Sequence, residues 1–395
     1  MDHLRHHPVF QPLPHPDKIS RLKYLEDARY FRQDSWQWDA LHNGRCTTSQ
    51  AAPALGLMEP KAAKLLGIPR SLQNGSSGAY CRLGEPALRT LKEMNEILCT
   101  GDGNDHIKEK SMNNHAGVWK LVRTRKFPFA AKYMPRTTRQ ELDSKKRDAK
   151  EFFSSISSPM MVRMKWGNSQ EATAILTALN YFHNKEPGIV IKEVGMCGSG
   201  LGLNSTSTGN GLLVGASPDA VIEYPNGTLE ALEVKNHCPF VPADWGLSKK
   251  KSNNLKKDRD KFRIRTFPSQ SSVPPAYLPQ LMMEMMCLGP QCKSAVLVRQ
   301  TAMNGSIILR LHRDEEWIEE MLFWLRRFMD DYVNKNCPPP QNFFWDDDKD
   351  SERFKSFVQR TKDLADSVEL VEHVSNGSIQ RVLPEGNLTS SLFLD

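Results

Sequence analysis

Residues 211–240 read GLLVGASPDAVIEYPNGTLEALEVKNHCPF. Three short apolar runs within it, Leu212–Ala216, Ala220–Tyr224 and Leu229–Lys235, predict strands. The last two are joined by Pro225-Asn226-Gly227. Asn-Gly tolerates the left-handed backbone of a tight turn, so a hairpin is expected there. That hairpin folds the strand bearing Glu233 back beside the segment after Asp219. Glu233 and Lys235 are two residues apart, and side chains two apart on a strand project to one face. Two carboxylates and an ammonium therefore converge on one spot. Phosphodiester hydrolysis needs such a set. Hard carboxylate oxygens from Asp219 and Glu233 suit Mg²⁺, which keeps several waters and takes only one or two carboxylates. A lysine beside them can orient the attacking water and offset negative charge in the transition state.

Outward from this segment, Ser169–Asn184 has helical spacing, with Ala172, Ile175, Leu176, Leu179 and Phe182 on one stripe. Residues 198–211 are rich in Gly, Ser, Thr and Asn and read as a loop. After a basic stretch, Ala276–Leu288 is dense in Met and Leu and predicts a helix. Ser294–Arg299 and Ser306–His312 predict two more strands. A last amphipathic helix is expected over about Asp314–Val333, with Ile318, Met321, Leu322, Leu325, Phe328, Met329 and Tyr332 on its apolar stripe. Pro338-Pro339-Pro340 follows it. A further helix is expected near Leu22–Phe31.

The 395 residues carry a formal net charge of +7, unevenly spread. Residues 120–150 hold eleven Lys and Arg against three acids, and residues 249–265 hold nine against two. Clustered positive charge attracts phosphate backbones and releases their counterions, which points to a nucleic-acid partner, with a solvated surface loop as the alternative for either run. Residues 341–395 reverse the sign, with eleven acids against six bases. No apolar run reaches the ~18 residues of a membrane span, and the first twenty residues lack a secretory apolar core. No membrane partner is expected, and the expected location is intracellular, in nucleus or cytoplasm. Eight scattered cysteines without a C-x-x-C pair read as reduced thiols. His237 and Cys238 lack a second ligand pair at zinc-site spacing, so no zinc site is expected.

Pro218-Asp219 with Glu233-Val234-Lys235 resembles the PD-(D/E)xK nuclease motif. Three further segments, in order, resemble the lambda-exonuclease/YqaJ-type viral recombinase family within that class. They are WDALHNGRCTTSQAAPALG at Trp38–Gly56, MKWGNSQEATA at Met164–Ala174, and AYLPQLMMEMMCLG at Ala276–Gly289. The resemblance covers about Trp38–Gly56 and Val162–Val333. It implies an α/β fold with a restriction-endonuclease-like core, a mixed β-sheet flanked by helices, carrying a large insertion. The corresponding division is an N-terminal leader at 1–34, a first core segment at 35–59 and a basic, loop-rich insertion at 60–160. The main core then spans 161–335, and an acidic, mobile tail 336–395.

By the same resemblance, Asp219 and Glu233 hold the metal, with the Val234 carbonyl as a further ligand and Glu171 joining from the preceding helix. Mg²⁺ is the implied cofactor, with Mn²⁺ able to substitute. Lys235 positions the nucleophilic water, and Gln280 holds that water or the scissile phosphate. Tyr277, Thr47 and Ser49 fall at DNA-contacting positions. The family's 5′-phosphate-gripping arginine falls on His42, and Arg45 three residues on is the candidate substitute. A neutral imidazole is the weaker phosphate anchor. Family members degrade duplex DNA from 5′ ends in recombination and repair. Some form a toroidal trimer, and many work beside a single-strand annealing protein. The implied activity is thus a 5′-to-3′ exonuclease on double-stranded DNA. An endonuclease on the same core and a catalytically inactive DNA-binding module stand as rivals.

Overall fold

The computed structural model describes residues 4–15, 28–33, 35–73, 75–88, 159–198, 212–242, 262–266 and 271–382, with a few isolated positions besides. Most of the basic stretches at 120–150 and 249–265 lie outside the described residues.

A seven-stranded mixed sheet forms the centre, in spatial order β1-β3-β5-β6-β9-β10-β11. Its strands are β1 (Phe10–Gln11), β3 (Val190–Lys192), β5 (Ala220–Glu223), β6 (Leu229–Asn236), β9 (Cys292–Gln300), β10 (Ser306–His312) and β11 (Glu369–Val374). The expected hairpin is β5–β6, antiparallel, with Ala220 opposite Leu232. Its turn places Gly227 at φ 81°, and the Asn226 side chain accepts from the Thr228 N–H. β6 and β9 run parallel, joined through helix α6 (Leu278–Leu288), while β9–β10 and β10–β11 are antiparallel. A parallel pair needs a crossover of this kind. The central strands β6 and β9 are buried on both faces, and the polar side chains they carry there, Glu230, Glu233, Ser294 and Arg299 among them, are buried with them.

Each sheet face has its own core. On one, the long helix α5 (Pro159–Lys185) lays Ala174, Ile175, Ala178 and Phe182 against Ile222, Leu232, Val234 and Val298. The expected stripe is the one it buries, apart from Ala172, which is only half-buried. On the other face, α6 packs with α7 (Glu315–Phe328), whose N-terminus is capped by Asp314 accepting from the Trp317 N–H at 2.8 Å. The buried stripe of α7 includes Trp317 and Trp324, beyond the residues expected, and its last turn widens over Met329–Val333. The run at Leu212–Ala216 forms a strand only over β4 (Val214–Gly215). It pairs outside the main sheet, in parallel with β2 (Cys46–Thr47), and β7 (Phe240–Pro242) pairs with β8 (Phe262–Ile264) in another small ladder.

Three expected boundaries are corrected. The stretch 1–34 is no detached leader: Phe10 pairs with Ile191 at a sheet edge, and Leu4, Phe10, Ala28 and Phe31 are buried. Of the helix expected near Leu22–Phe31, the described part is one turn of 3-10 helix at Ala28–Tyr30. Residues 60–83 are not loop-rich insertion. Following α2 (Thr48–Ala54), they form α3 (Pro60–Leu65) and α4 (Ser76–Leu83) and bury Ala62, Ala63, Leu66, Ala79 and Leu83 in the core. Nor is 336–395 a mobile acidic tail over its described part. α8 (Ser351–Asp366) inserts Phe354, Phe357 and Val358 into the same core, and β11 completes the sheet. Several of the acids there are held by basic partners: Arg327, which also pairs with Asp331, holds Asp347 and Asp350, and Lys61 holds Asp346.

Candidate active site

The hairpin register that puts Ala220 opposite Leu232 leaves Asp219 facing Glu233. Asp219 Oδ2 accepts a hydrogen bond from the Val234 N–H at 2.7 Å. Glu233 is buried and ion-paired with Lys235, whose Nζ donates to Glu233 Oε1. The same Nζ stands 5.4 Å from the centre of the Tyr277 ring, within cation–π reach. Tyr277 ends the 3-10 turn that opens α6, so that helix delivers its aromatic ring and, one turn on, Gln280 to this end of β6. Asn236 donates to the Gly167 carbonyl at 3.3 Å, which ties the end of β6 to α5 one turn before Glu171.

Burial raises the Asp219 carboxyl well above the ordinary carboxylate range, and Glu233 and Glu171 push the same way. Lys235 and the Val234 N–H pull it back only in part. Burial disfavours the charge on Lys235, yet Glu233 and Asp219 beside it lift its pKa above the usual lysine value. Asp219 thus senses Glu233, Glu171 and Lys235. The structure brings Tyr277 to the same place.

One more carboxylate joins them. Glu284, on α6, is fully buried, and its Oε1 accepts from Gln280 Nε2 at 2.8 Å. Burial and the charge of Glu233 raise its pKa well above the usual value. Sequence reading missed Glu284, although it is the sole acid in the apolar run 276–289. That isolation was the available signal, because a lone carboxylate on an apolar helix must be desolvated.

The opening segment reaches the site through its backbone neighbours. Trp38, on α1 (Trp36–Ala40), donates from Nε1 to Ser217 Oγ at 2.7 Å. Gln33 donates to the carbonyls of Ser217 and Pro218 at 3.3 and 3.2 Å. These bonds fix the turn that presents Asp219, and neither residue had been given that role. Thr47 pairs in register with Gly215 in the short β2–β4 ladder; it is buried and stands 3.3 Å from the exposed Ser49 hydroxyl. His42 holds the Trp38 carbonyl through Nδ1 at 2.8 Å and packs edge-on to the Trp38 ring. Arg45 differs from expectation. It is fully buried, and its guanidinium donates to the carbonyls of Leu41 and Leu88. A guanidinium committed inside the fold is not placed to grip a strand end, so Arg45 is corrected from phosphate ligand to internal tie.

Among the described residues no three His, Cys, Asp or Glu side chains are gathered into a ready cage for a metal ion. The donor chemistry nevertheless fits Mg²⁺. Each of Asp219 and Glu233 spends one carboxyl oxygen on a protein donor, and two carboxylates meet what Mg²⁺ requires of a protein. The repulsion that Asp219 meets from Glu233 and Glu171 also marks a place where an added cation lowers the electrostatic energy.

Beyond Lys235, His237 Nε2 accepts from Arg299 Nη2 at 3.0 Å, and Arg299 also donates to the Ser272 carbonyl at 2.6 Å. Burial and the Arg299 charge push the His237 pKa down to about 4. Unfolded chain takes up a proton near 6.5 and folded chain only near 4, so stability at this residue is lost as pH falls between those values. A histidine-resolved NMR titration is expected to show a His237 midpoint near 4. A midpoint at the ordinary value would exclude the buried contact with Arg299.

No protein-family model matches the chain, and no curated protein matches it. Among solved structures, it is similar to the crystal structure of an alkaline exonuclease from Laribacter hongkongensis, at 18% sequence identity and a TM-score of 0.27. The similarity covers 52% of this chain and 85% of that one. A TM-score of that size does not establish a shared fold. Among the described residues, no helix is long and apolar enough to cross a membrane.

Proposed function

We propose that the chain is a Mg²⁺-dependent nuclease that hydrolyses DNA phosphodiester bonds, acting on double-stranded DNA as a 5′-to-3′ exonuclease in recombination or repair. The observation that carries this reading is the meeting of Asp219, Glu233 and Lys235 on one hairpin, with the Val234 N–H tying the two strands together at the site. The ordered motifs around Trp38, Glu171 and Gln280 support it. So does the mixed sheet with a helix from each face reaching the site, which suits a restriction-endonuclease-like core.

Asp219 and Glu233 would hold the metal, with the Val234 carbonyl and Glu171 as further donors. A bound Mg²⁺ supplies activation of water and neutralises charge on the phosphate. Lys235, kept protonated by its two carboxylate neighbours, presents a cation where negative charge builds on the phosphoryl oxygens. Tyr277 borders that cation and offers a face to the DNA backbone. DNA is the proposed partner, and an oligomer and a single-strand annealing protein are partners that the family resemblance adds.

The test uses 5′-labelled linear duplex and covalently closed circular duplex, each with Mg²⁺ or EDTA. Mg²⁺-dependent release of labelled mononucleotide from the linear substrate alone is the expected result. Cleavage of the circle would replace the exonuclease with an endonuclease on the same site. Binding without cleavage of either substrate would leave a DNA-binding module.

A further inference from the structure

Gln280 donates its amide Nε2 to Glu284 Oε1 at 2.8 Å, and among the described residues its Oε1 has no partner. That bond commits the amide N–H end to Glu284 and leaves the carbonyl oxygen as the end that turns away from it. Glu284 is fully buried, and its second oxygen, Oε2, has no hydrogen-bond partner. Desolvating a carboxyl and leaving one oxygen bare is costly, and that cost falls on the helix facing Glu233 and Lys235. Helix propensity and apolar packing would both be served by another Met at this position, amid Met282, Met283, Met285 and Met286.

We infer that Glu284 is a positioning residue that locks the Gln280 amide so that its carbonyl oxygen, an acceptor, faces the reaction site. The consequence is chemical. Phosphate oxygens accept hydrogen bonds and are repelled by an amide oxygen, whereas water donates to it. Gln280 therefore holds the attacking water and not the scissile phosphate, which decides between the two roles open to it. The inference rests on the nuclease reading and specifies how one residue of that site works.

The test compares Glu284→Met, Glu284→Gln, Gln280→Ala and the double variant Gln280→Ala/Glu284→Met with the parent chain. Glu284→Met keeps volume and removes the acceptor; Glu284→Gln restores one. Glu284→Met is expected to lower kcat about ten- to a hundredfold with KM for DNA unchanged, the scale of a misplaced reacting group. Glu284→Gln is expected to recover most of that loss, and Glu284→Met to add no further loss to Gln280→Ala. A second readout needs no activity. In ¹⁵N spectra of the metal-free protein, the Gln280 side-chain amide, assigned by its loss in Gln280→Ala, is expected to exchange slowly in the parent and quickly in Glu284→Met. Parent-like cleavage by Glu284→Met, multiplicative losses in the double variant, or equal exchange in both proteins would each overturn the inference while leaving the nuclease reading in place. A parent chain that cuts no DNA sinks that reading directly, and the positioning role with it.

Discussion

Asp219→Asn is expected to abolish hydrolysis while raising the melting temperature of the metal-free protein. On the proposed reading Asp219 would hold the metal beside the reacting group, and its loss should then reduce the rate on the order of 10³-fold or more. Asn keeps an oxygen that can accept from the Val234 N–H, so the hairpin is not disturbed. The stability change has the opposite sign because the Asp219 pKa is raised by burial, then by Glu233 and Glu171, even after the attraction of Lys235 is counted. Between the ordinary carboxylate value of about 4 and that raised value, folded chain retains a proton that unfolded chain has released. Stability therefore falls as pH rises through this window. Asn carries no charge at any pH, so its advantage grows from pH 4 upward and levels off once Asp219 is ionised. Thermal melts in EDTA at pH 5 and pH 8 should show the larger gain at pH 8, about 1 kcal/mol in size, as for other relieved site charges. A variant that still releases nucleotide removes Asp219 from the chemistry, and one that melts lower at pH 8 removes the like-charge argument.

The site was legible in the sequence where its geometry is local. A two-residue alternation and an Asn-Gly turn suffice to set Asp219 across from Glu233, and the register Ala220↔Leu232 is the one such a hairpin requires. The helix bearing Glu171 was visible as an apolar stripe of helical period, and the helix bearing Gln280 as a run dense in Met and Leu. Placing them on opposite faces of the sheet needed the parallel β6–β9 pairing, a contact between segments some sixty residues apart that no local pattern encodes.

What escaped was governed by partners distant in the chain. The acids after Pro340 look solvated in sequence, yet Arg327 gathers three carboxylates from two segments, and behind them Phe344 and Phe354 pack on Trp324 while Phe343 packs on Phe328. The helical spacing of Phe354, Phe357, Val358, Thr361 and Ala365 was present, but charge outweighed it in the reading. Glu284 was overlooked for the converse reason. A single acid amid methionines carries no motif, and its meaning comes only from Gln280 one turn before it and Glu233 across the interface.

Arg45 provides the second large effect, because the sequence and the structure assign it different work. As a phosphate ligand it would be exposed, and its loss would weaken DNA binding without unfolding the protein. Instead it is fully buried, and Nη1 donates to the Leu41 carbonyl at 3.2 Å while Nη2 donates to the Leu88 carbonyl. The preceding Gly44 adopts φ 62°, and a Cβ there would stand 2.4 Å from the Glu85 carbonyl oxygen. The turn before Arg45 is thus pressed against residues 85–88, and the guanidinium fork bridges the two segments. Arg45→Ala strands two buried carbonyls and opens a cavity, which should cost about 3–5 kcal/mol. The denaturation midpoint should fall with the m-value unchanged. Arg45→Lys should recover little, since a single ammonium cannot span two carbonyls in the fork geometry. Whatever folded fraction remains is expected to keep the parent preference between 5′-phosphate and 5′-hydroxyl ends, compared per folded molecule. A stable Arg45→Ala protein that has lost that preference would return Arg45 to the DNA and overturn its place as an internal tie.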